Sequence, residues 1–366
     1  MGFLYNSIIN NIFKMKVKYL DFGKVYSAYP TAIAAMEATL KSGNMILRGE
    51  LEEFEQKLAK FVGTKYAVGV HSGTDALFLT LKALGIGPGD EVITVSNTFV
   101  ATIQVIEQVG AIPILVDVDD RDGLIEKNGV QDAITKKTKC IIPVQLAGDE
   151  TGTGMIDYLG IPILEDACQA LGATSPNLGC YSFYPAKLLG NTGDGGAVVC
   201  NDKDLYDELI KLRNHYLIGK VDYDKNNTYK FGYNSRLDNS AAAFLSSKLD
   251  SLPSDILKRK KIAQQYDLAF STLPIRLPVV REVYQDYIIR TKDRDMLNAF
   301  LRDKGIECLG ADQYPPHLFN GLGLDHFKLP ITEKIFKESL RIPCNQFMTS
   351  EEVNYVINSI KEYYEM

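Results

Sequence analysis

The chain of 366 residues is poor in the side chains that hold metals or cross-links, with only four histidines and six cysteines. His71, His215, His317 and His326 show no metal-ligand spacing with one another or with a cysteine, which argues against a zinc site. Cys140, Cys168, Cys180, Cys200, Cys308 and Cys344 form no CxxC pair and mostly sit in apolar runs. They read as buried thiols in a reducing, cytoplasmic setting rather than as a disulfide framework. No apolar run approaches the roughly 20 residues of a membrane span, and there is no internal repeat or low-complexity linker. Basic residues are not in excess: the formal net charge is −6. That argues against sequence-independent nucleic-acid binding but leaves room for a small anion held by local cations and helix termini. The first fifteen residues are moderately apolar but lack a basic start and a small-residue cleavage site. Residues 1–16 therefore read as an extension rather than a signal peptide.

What is present is an alternation of apolar strands and helices. Strands are expected at 17–20, 66–70, 91–95, 112–118, 140–146 and 161–166. Helices are expected at 32–40, 50–61, 73–84, 98–109 and 125–135. Continuous apolar strands separated by helices predict an α/β fold with a largely parallel sheet covered on both faces. After 196 come helices at 203–215, 240–249 and 254–268, with a polar, tyrosine-rich loop at 219–234 between the first two. A second alternation follows, with a strand at 284–290, a helix at 293–304 and a last helix at 349–364 behind an acidic start. Length and pattern together predict a large domain over 17–252 and a smaller one over 253–366.

Three segments at strand ends carry candidate chemistry. Val70-His71-Ser72-Gly73-Thr74-Asp75-Ala76 turns from a strand into a helix, whose free amides and neighbouring hydroxyls suit a phosphate; it is also an ordinary N-cap. Ser96-Asn97-Thr98-Phe99 places an aromatic where it could lie on a planar group, or simply pack in the core. Ile161-Pro162-Ile163-Leu164-Glu165-Asp166 ends a buried strand with two carboxylates, which are unfavourable there without a cationic partner. In open α/β sheets such tips point into the ligand site. Asp166 could address a pyridinium nitrogen, and Gln169 the ring oxygen or the substrate; a strand-end cap is the alternative.

The fourth segment runs from Tyr181 to Gly196 and sets Lys187 between an aromatic run and a loop with four glycines. A lysine amine becomes nucleophilic when desolvation lowers its pKa. Taken alone, Lys187 reads more readily as a solvated charge on a surface loop; the upstream segments turn the reading toward chemistry. Phosphate cradle, aromatic, carboxylate and lysine in this order are the groups that bind and tune pyridoxal 5'-phosphate.

From residue 17 to residue 364 the sequence resembles the DegT/DnrJ-type nucleotide-sugar aminotransferases, of pyridoxal phosphate fold type I. The segments that carry the likeness are Ile46-Leu47-Arg48-Gly49, Ser72-Gly73-Thr74-Asp75-Ala76-Leu77 and Glu165-Asp166-Ala167 with Gln169. To these add Ser182-Phe183-Tyr184-Pro185 with Lys187, Gly193-Asp194-Gly195-Gly196, and Gly232-Tyr233-Asn234-Ser235-Arg236-Leu237-Asp238. The resemblance implies that Lys187 joins the cofactor covalently and shuttles protons, with Asp166 on the pyridine nitrogen. It implies Gly73, Thr74 and Ser182 at the phosphate, Phe99 on the ring, and Gln169 beside the ring oxygen. Asn234 would reach the cofactor of a second subunit, which implies a homodimer with shared active sites. Tyr184, Arg236, Tyr314 and His317 would face the substrate. The implied reaction moves an amino group from L-glutamate to a keto group of a nucleoside-diphosphate sugar, with a thymidine-linked 3-keto-6-deoxyhexose as first choice.

Departures cluster where the sugar would sit. Ala186-Lys187-Leu188 replaces the usual Thr-Lys-Asn, Gln145-Leu146-Ala147-Gly148-Asp149 replaces a His-Leu-Tyr-Gly type, and Asn239-Ser240 follows Asp238. Three alternatives are weaker on the residues. A sugar dehydratase of the same fold carries histidine in place of Lys187, and a non-catalytic sensor dimer has no need of Lys187 with Asp166. A dinucleotide-dependent oxidoreductase requires a strand–GxGxxG–helix context that Gly190 to Gly196 lacks. The acidic run Asp117 to Gly123 misses calcium-loop spacing and reads as a solvated strand end.

Overall fold

The computed structural model describes residues 16–149, 156–173, 175–217, 230–310 and 314–366. The expected extension, apart from its last residue, and most of the loop 219–234 lie outside the described residues. The strands are β1 (Tyr66–Val70), β2 (Glu91–Val95), β3 (Ile112–Val116), β4 (Thr138–Ile141), β5 (Glu165–Asp166), β6 (Leu178–Ser182) and β7 (Gly196–Cys200). They pair as β3-β2-β4 and β5-β6-β7-β1, and the bridges Ile141–Ile163 and Val144–Asp166 join the two groups into one sheet. β2 is parallel to β3 and β4, and β5 to β6, whereas β7 is antiparallel to both neighbours. The sheet is therefore mixed and mostly parallel.

Strand alternation feeds two cores. Ala67, Ala197 and Val199 pack under Leu51, Phe54 and Leu58 of the helix Gly49–Val62. Val68, Val92 and Val198 point to the other face, against Leu77 and Leu81 of Gly73–Ala83 and Leu209 of Lys203–Leu212. Side chains one residue apart on a strand thus serve opposite layers.

A third core surrounds the antiparallel pair β8 (Tyr287–Arg290) and β9 (Ser339–Ile342). Tyr266 of the helix Leu252–Phe270, Leu297 and Leu301 of Arg294–Asp303, and Val356 and Ile360 of Ser350–Glu365 fill it. The last of these helices opens on a capping box between Thr349 and Glu352, which satisfies two orphan amides at once. We propose that the chain divides into two lobes at 252 and 253, where this core's first helix begins. Val17 crosses that division, packing in the third core and bridging Ile306.

Some expected elements come out differently. The strand at 17–20 is a single bridge at Val17. The strand at 161–166 shrinks to Glu165–Asp166, since Pro162 lacks the amide a ladder requires. The helix Pro330–Glu338 escaped the sequence reading because its cap comes from elsewhere: Asp117 accepts from the amides of Ile331 and Thr332 at 2.8 and 2.9 Å. The acidic run is thus no solvated strand end. Asp120 ties the lobes by ion pairs to Arg276, Arg290 and Lys334. These cations hold its carboxyl well below the usual carboxylate range, against a smaller opposing effect of burial.

The lobes also meet at Gly148, which sits at φ +92°, and a Cβ there would lie 2.4 Å from the carbonyl oxygen of Val283. Gly148→Ala combines a left-handed backbone with overpacking and should destabilise the fold by about 3 kcal/mol. Chemical denaturation reads this directly, and an unchanged midpoint would contradict the close approach.

Candidate active site

A cavity of about 710 Å³ opens at the carboxyl ends of the main-sheet strands and extends to the second lobe. Gly73, Thr74, Phe99, Asp166, Gln169, Ser182, Tyr184 and Lys187 all line it. Chain segments more than a hundred residues apart are brought together there because their strands end on one edge.

Asp166 ends β5 and is buried. The Thr102 hydroxyl donates to its Oδ2 at 2.7 Å, and the Cys168 amide to its Oδ1 at 3.3 Å. Thr98 and Thr102 share a further hydroxyl contact of 2.7 Å. A buried carboxylate needs such donors, and the face turned to the cavity keeps acceptor capacity. The neighbouring Glu165 is also buried and accepts from the Gln145 side-chain Nε2. Burial and the nearby Asp166 push the Cys168 thiol well above its usual pKa, so it stays protonated beside the cavity.

The helix Gly73–Ala83 starts at Ser72, whose hydroxyl accepts from the Asp75 amide at 3.0 Å. The first helical amides have no carbonyl one turn earlier, and Gly73 and Thr74 present them at the cavity wall. A Cβ at Gly73 would come within 2.8 Å of Ser182 Cβ and 2.9 Å of Cys168 Sγ; only glycine lets these three segments converge. Ser235 braces the same turn, accepting from the His71 amide at 3.2 Å and donating to Asp75 at 2.6 Å.

Lys187 is half-buried, and its amide donates to the Tyr184 carbonyl at 2.8 Å. Behind the loop, Lys248 is 2% exposed, donates to the Gly190 carbonyl at 2.8 Å and lies 4.9 Å from the Tyr29 ring centroid. Burial pulls its amine from 10.5 down to about 8, with Asp255 opposing. The unfolded chain then binds more protons than the folded one between those values, so stability at this position rises with pH across the window. Relative to Lys248→Met, the wild type should gain about 2 kcal/mol between about pH 8 and 10. Denaturation midpoints of both proteins at the two pH values check it; a flat difference refutes it.

Four sequence-expected residues lie outside this cavity. Asn234 bridges Asn214, and Arg236 donates to the Asn214 side-chain oxygen at 3.1 Å. Tyr314 is half-exposed and packs on Phe319 and Phe336. His317 is 1% exposed, with Nδ1 2.8 Å from the Ser96 hydroxyl and Nε2 3.7 Å from Glu333. Burial lowers its pKa, with Glu333 opposing. Conversely, Thr102, Lys248 and Gln285 carry no local signal in the sequence, apart from the place of Thr102 three residues after the helix cap Phe99.

Among the described residues no helix is long and apolar enough to cross a membrane. The sequence model of the DegT/DnrJ/EryC1/StrS aminotransferase family matches residues 28–361. The UDP-2-acetamido-2-deoxy-3-oxo-D-glucuronate aminotransferase of Pseudomonas aeruginosa is 34% identical, over 88% of this chain and 93% of its own. The dTDP-3-amino-3,4,6-trideoxy-alpha-D-glucose transaminase of Micromonospora megalomicea is 36% identical, over 90% and 93%. Among solved structures, DesV of S. venezuelae in complex with a ketimine intermediate superposes with a TM-score of 0.90 at 34% identity, covering 96% of this chain and 99% of its own. The ntda protein of Bacillus subtilis with bound cofactor pmp gives 0.86 at 28% identity, over 92% and 81%. Fold, cavity and likeness agree, and the chain belongs to the DegT/DnrJ/EryC1/StrS aminotransferase family.

Proposed function

We propose that this aminotransferase uses pyridoxal 5'-phosphate to move an amino group from L-glutamate to a keto group of a nucleotide-linked sugar. A thymidine-linked 3-keto-6-deoxyhexose is the first substrate to try. The observation that carries the reading is that Lys187 and Asp166 line one cavity with the amide end of the helix Gly73–Ala83. The relatives named for UDP- and dTDP-linked sugars support the substrate class.

The residues present suit the cofactor. The convergence at Gly73 leaves backbone amides free of side-chain cover, as an anion needs. The half-exposed Phe99 offers a ring face to a planar group, and Asp166 offers an acceptor to a ring nitrogen. Gly73, Thr74 and Ser182 would hold the phosphate, Phe99 and Gln169 would flank the ring, and Lys187 would join it covalently. When bound, the cofactor supplies an electron sink for charge developing at the amino-bearing carbon. Lys187 would take a proton from the amino-bearing carbon as general base and give it back as general acid; the same amine would be the nucleophile that joins the cofactor. Asp166 would accept a hydrogen bond from the protonated ring nitrogen.

Asn234 lies away from the cavity of its own chain, which suits a homodimer in which it serves the partner's site. A cytoplasmic setting belongs to the same reading. The deciding experiment offers the purified protein a panel of keto-sugar nucleotides with nitrogen-labelled glutamate and reads the products by mass spectrometry. Labelled nitrogen in the sugar is the expected result. Loss of a sugar hydroxyl without nitrogen gain would point to a dehydratase, and no conversion of any member would contradict the proposal.

A further inference from the structure

The cavity wall holds one side chain from the second lobe whose bonds go to the main chain around Lys187. Gln285 is buried and lines the cavity. Its Oε1 accepts from the Leu188 amide at 2.9 Å, and its Nε2 donates to the Ala186 carbonyl at 3.0 Å. One primary amide thus engages the peptide groups on both sides of Lys187, as a neighbouring strand would. With the Lys187 amide bonded to Tyr184, little torsional freedom is left at the lysine, and the direction in which its side chain departs is set.

The same residue reaches a second segment of the cavity wall, the one that holds Gln169, through its backbone. The Gln285 amide donates to the Ala147 carbonyl at 3.1 Å, and the Ala147 amide donates to Gln169 Oε1 at 2.8 Å. Ala147 stands at φ 58°, a left-handed conformation that these bonds help to hold. Gln285 is anchored in turn, because Arg259 of the helix Leu252–Phe270 donates to its carbonyl at 2.8 Å and to that of Tyr284 at 3.1 Å. A helix of the second lobe therefore connects through one glutamine to the main chain at Lys187 and to the side chain of Gln169.

We propose that Gln285 is a positioning residue that sets the direction of the Lys187 side chain and makes it depend on the seating of the second lobe. The step from backbone to catalysis rests on the reading of Lys187 as the reactive amine. Misplacement of such a group by about 1 Å is enough to lower turnover by roughly a hundredfold.

The test compares wild type with Gln285→Leu, which removes both side-chain bonds, and Gln285→Glu, which keeps the acceptor for Leu188 and loses the donor to Ala186. Native-state amide exchange on the protein without added cofactor should be about five- to tenfold faster at Leu188 in Gln285→Leu, the scale of one lost hydrogen bond. It should be unchanged in the helix Ser350–Glu365, and Gln285→Glu should keep Leu188 protected. With cofactor and substrates, both variants should lose about tenfold or more in kcat with little change in KM for the amino donor. Wild-type exchange at Leu188 in Gln285→Leu, or acceleration spread evenly over both lobes, would overturn the proposal. So would a rise in KM alone. If Gln285→Leu does not fold, Gln285→Asn replaces it, since it is one methylene too short to span both groups; unaltered exchange there counts equally against the clamp. Should wild-type Lys187 take up no pyridoxal phosphate, the functional reading fails, and the exchange comparison still decides whether the glutamine holds the loop.

Discussion

Lys187→Ala should lose at least about four orders of magnitude in turnover, together with the absorbance and the reducible covalent link of a lysine-bound cofactor. The size of the loss follows from two functions removed at once. General acid/base transfer alone contributes about 10²–10⁴-fold, and in the proposed function the amine is the nucleophile as well. The fold should survive, because the side chain is half-buried at a cavity wall and its deletion opens no core void. Lys187→Arg makes the stricter test. It keeps the positive charge and most of the volume, but a guanidinium does not give up its proton near neutrality. Electrostatic binding of an anionic cofactor would survive in Lys187→Arg; proton transfer and covalent attachment would not. Circular dichroism, absorbance and the mass of borohydride-treated protein separate these effects. Substantial turnover in either variant would remove Lys187 from the chemistry.

The parts of the site legible in the sequence are those written locally. A strand running into a small polar turn and a helix announces the amide end at Gly73, and an apolar strand ending in Glu165-Asp166 announces a carboxylate at a sheet edge. Lys187 is legible from its glycine-rich surroundings and from order along the chain. The supporting residues are not written that way. Thr102, Lys248 and Gln285 each meet their partner across 58 residues or more, so no window of sequence contains both ends of the bond. The same holds for Asp117 and Asp120, whose partners lie more than 150 residues on; as a stretch they read as solvated charge, and in the fold they cap a helix and join the lobes. Gln145 to Asp149 stood out only as a departure from a family pattern. The structure gives the segment a physical reason, since Ala147 bonds both Gln169 and Gln285 and Gly148 admits Val283.

Asp166→Asn should lower kcat by about 10²–10³-fold while the protein still binds the cofactor. The substitution is close to isosteric and its carbonyl oxygen still accepts from Thr102, so the packing at the end of β5 is kept, at the expense of the longer 3.3 Å bond from the Cys168 amide. What is lost is the negative charge that holds a proton on a ring nitrogen, and with it the electron demand of the ring as charge develops. An interaction that strengthens only as the reaction proceeds shows in kcat rather than in KM. Thr102→Val adds a control from the second layer. Its hydroxyl bonds Asp166 Oδ2 at 2.7 Å, and removing it leaves a buried carboxylate oxygen short of a donor, which should lower kcat by about tenfold. If the threonine acts only through the carboxylate, Thr102→Val should add little once Asp166 is already Asn, and the double variant should match Asp166→Asn alone. Additive losses would mean that Thr102 has its own contact with cofactor or substrate. Near wild-type turnover in Asp166→Asn would leave the carboxylate as a strand-end cap and withdraw the ring-nitrogen role.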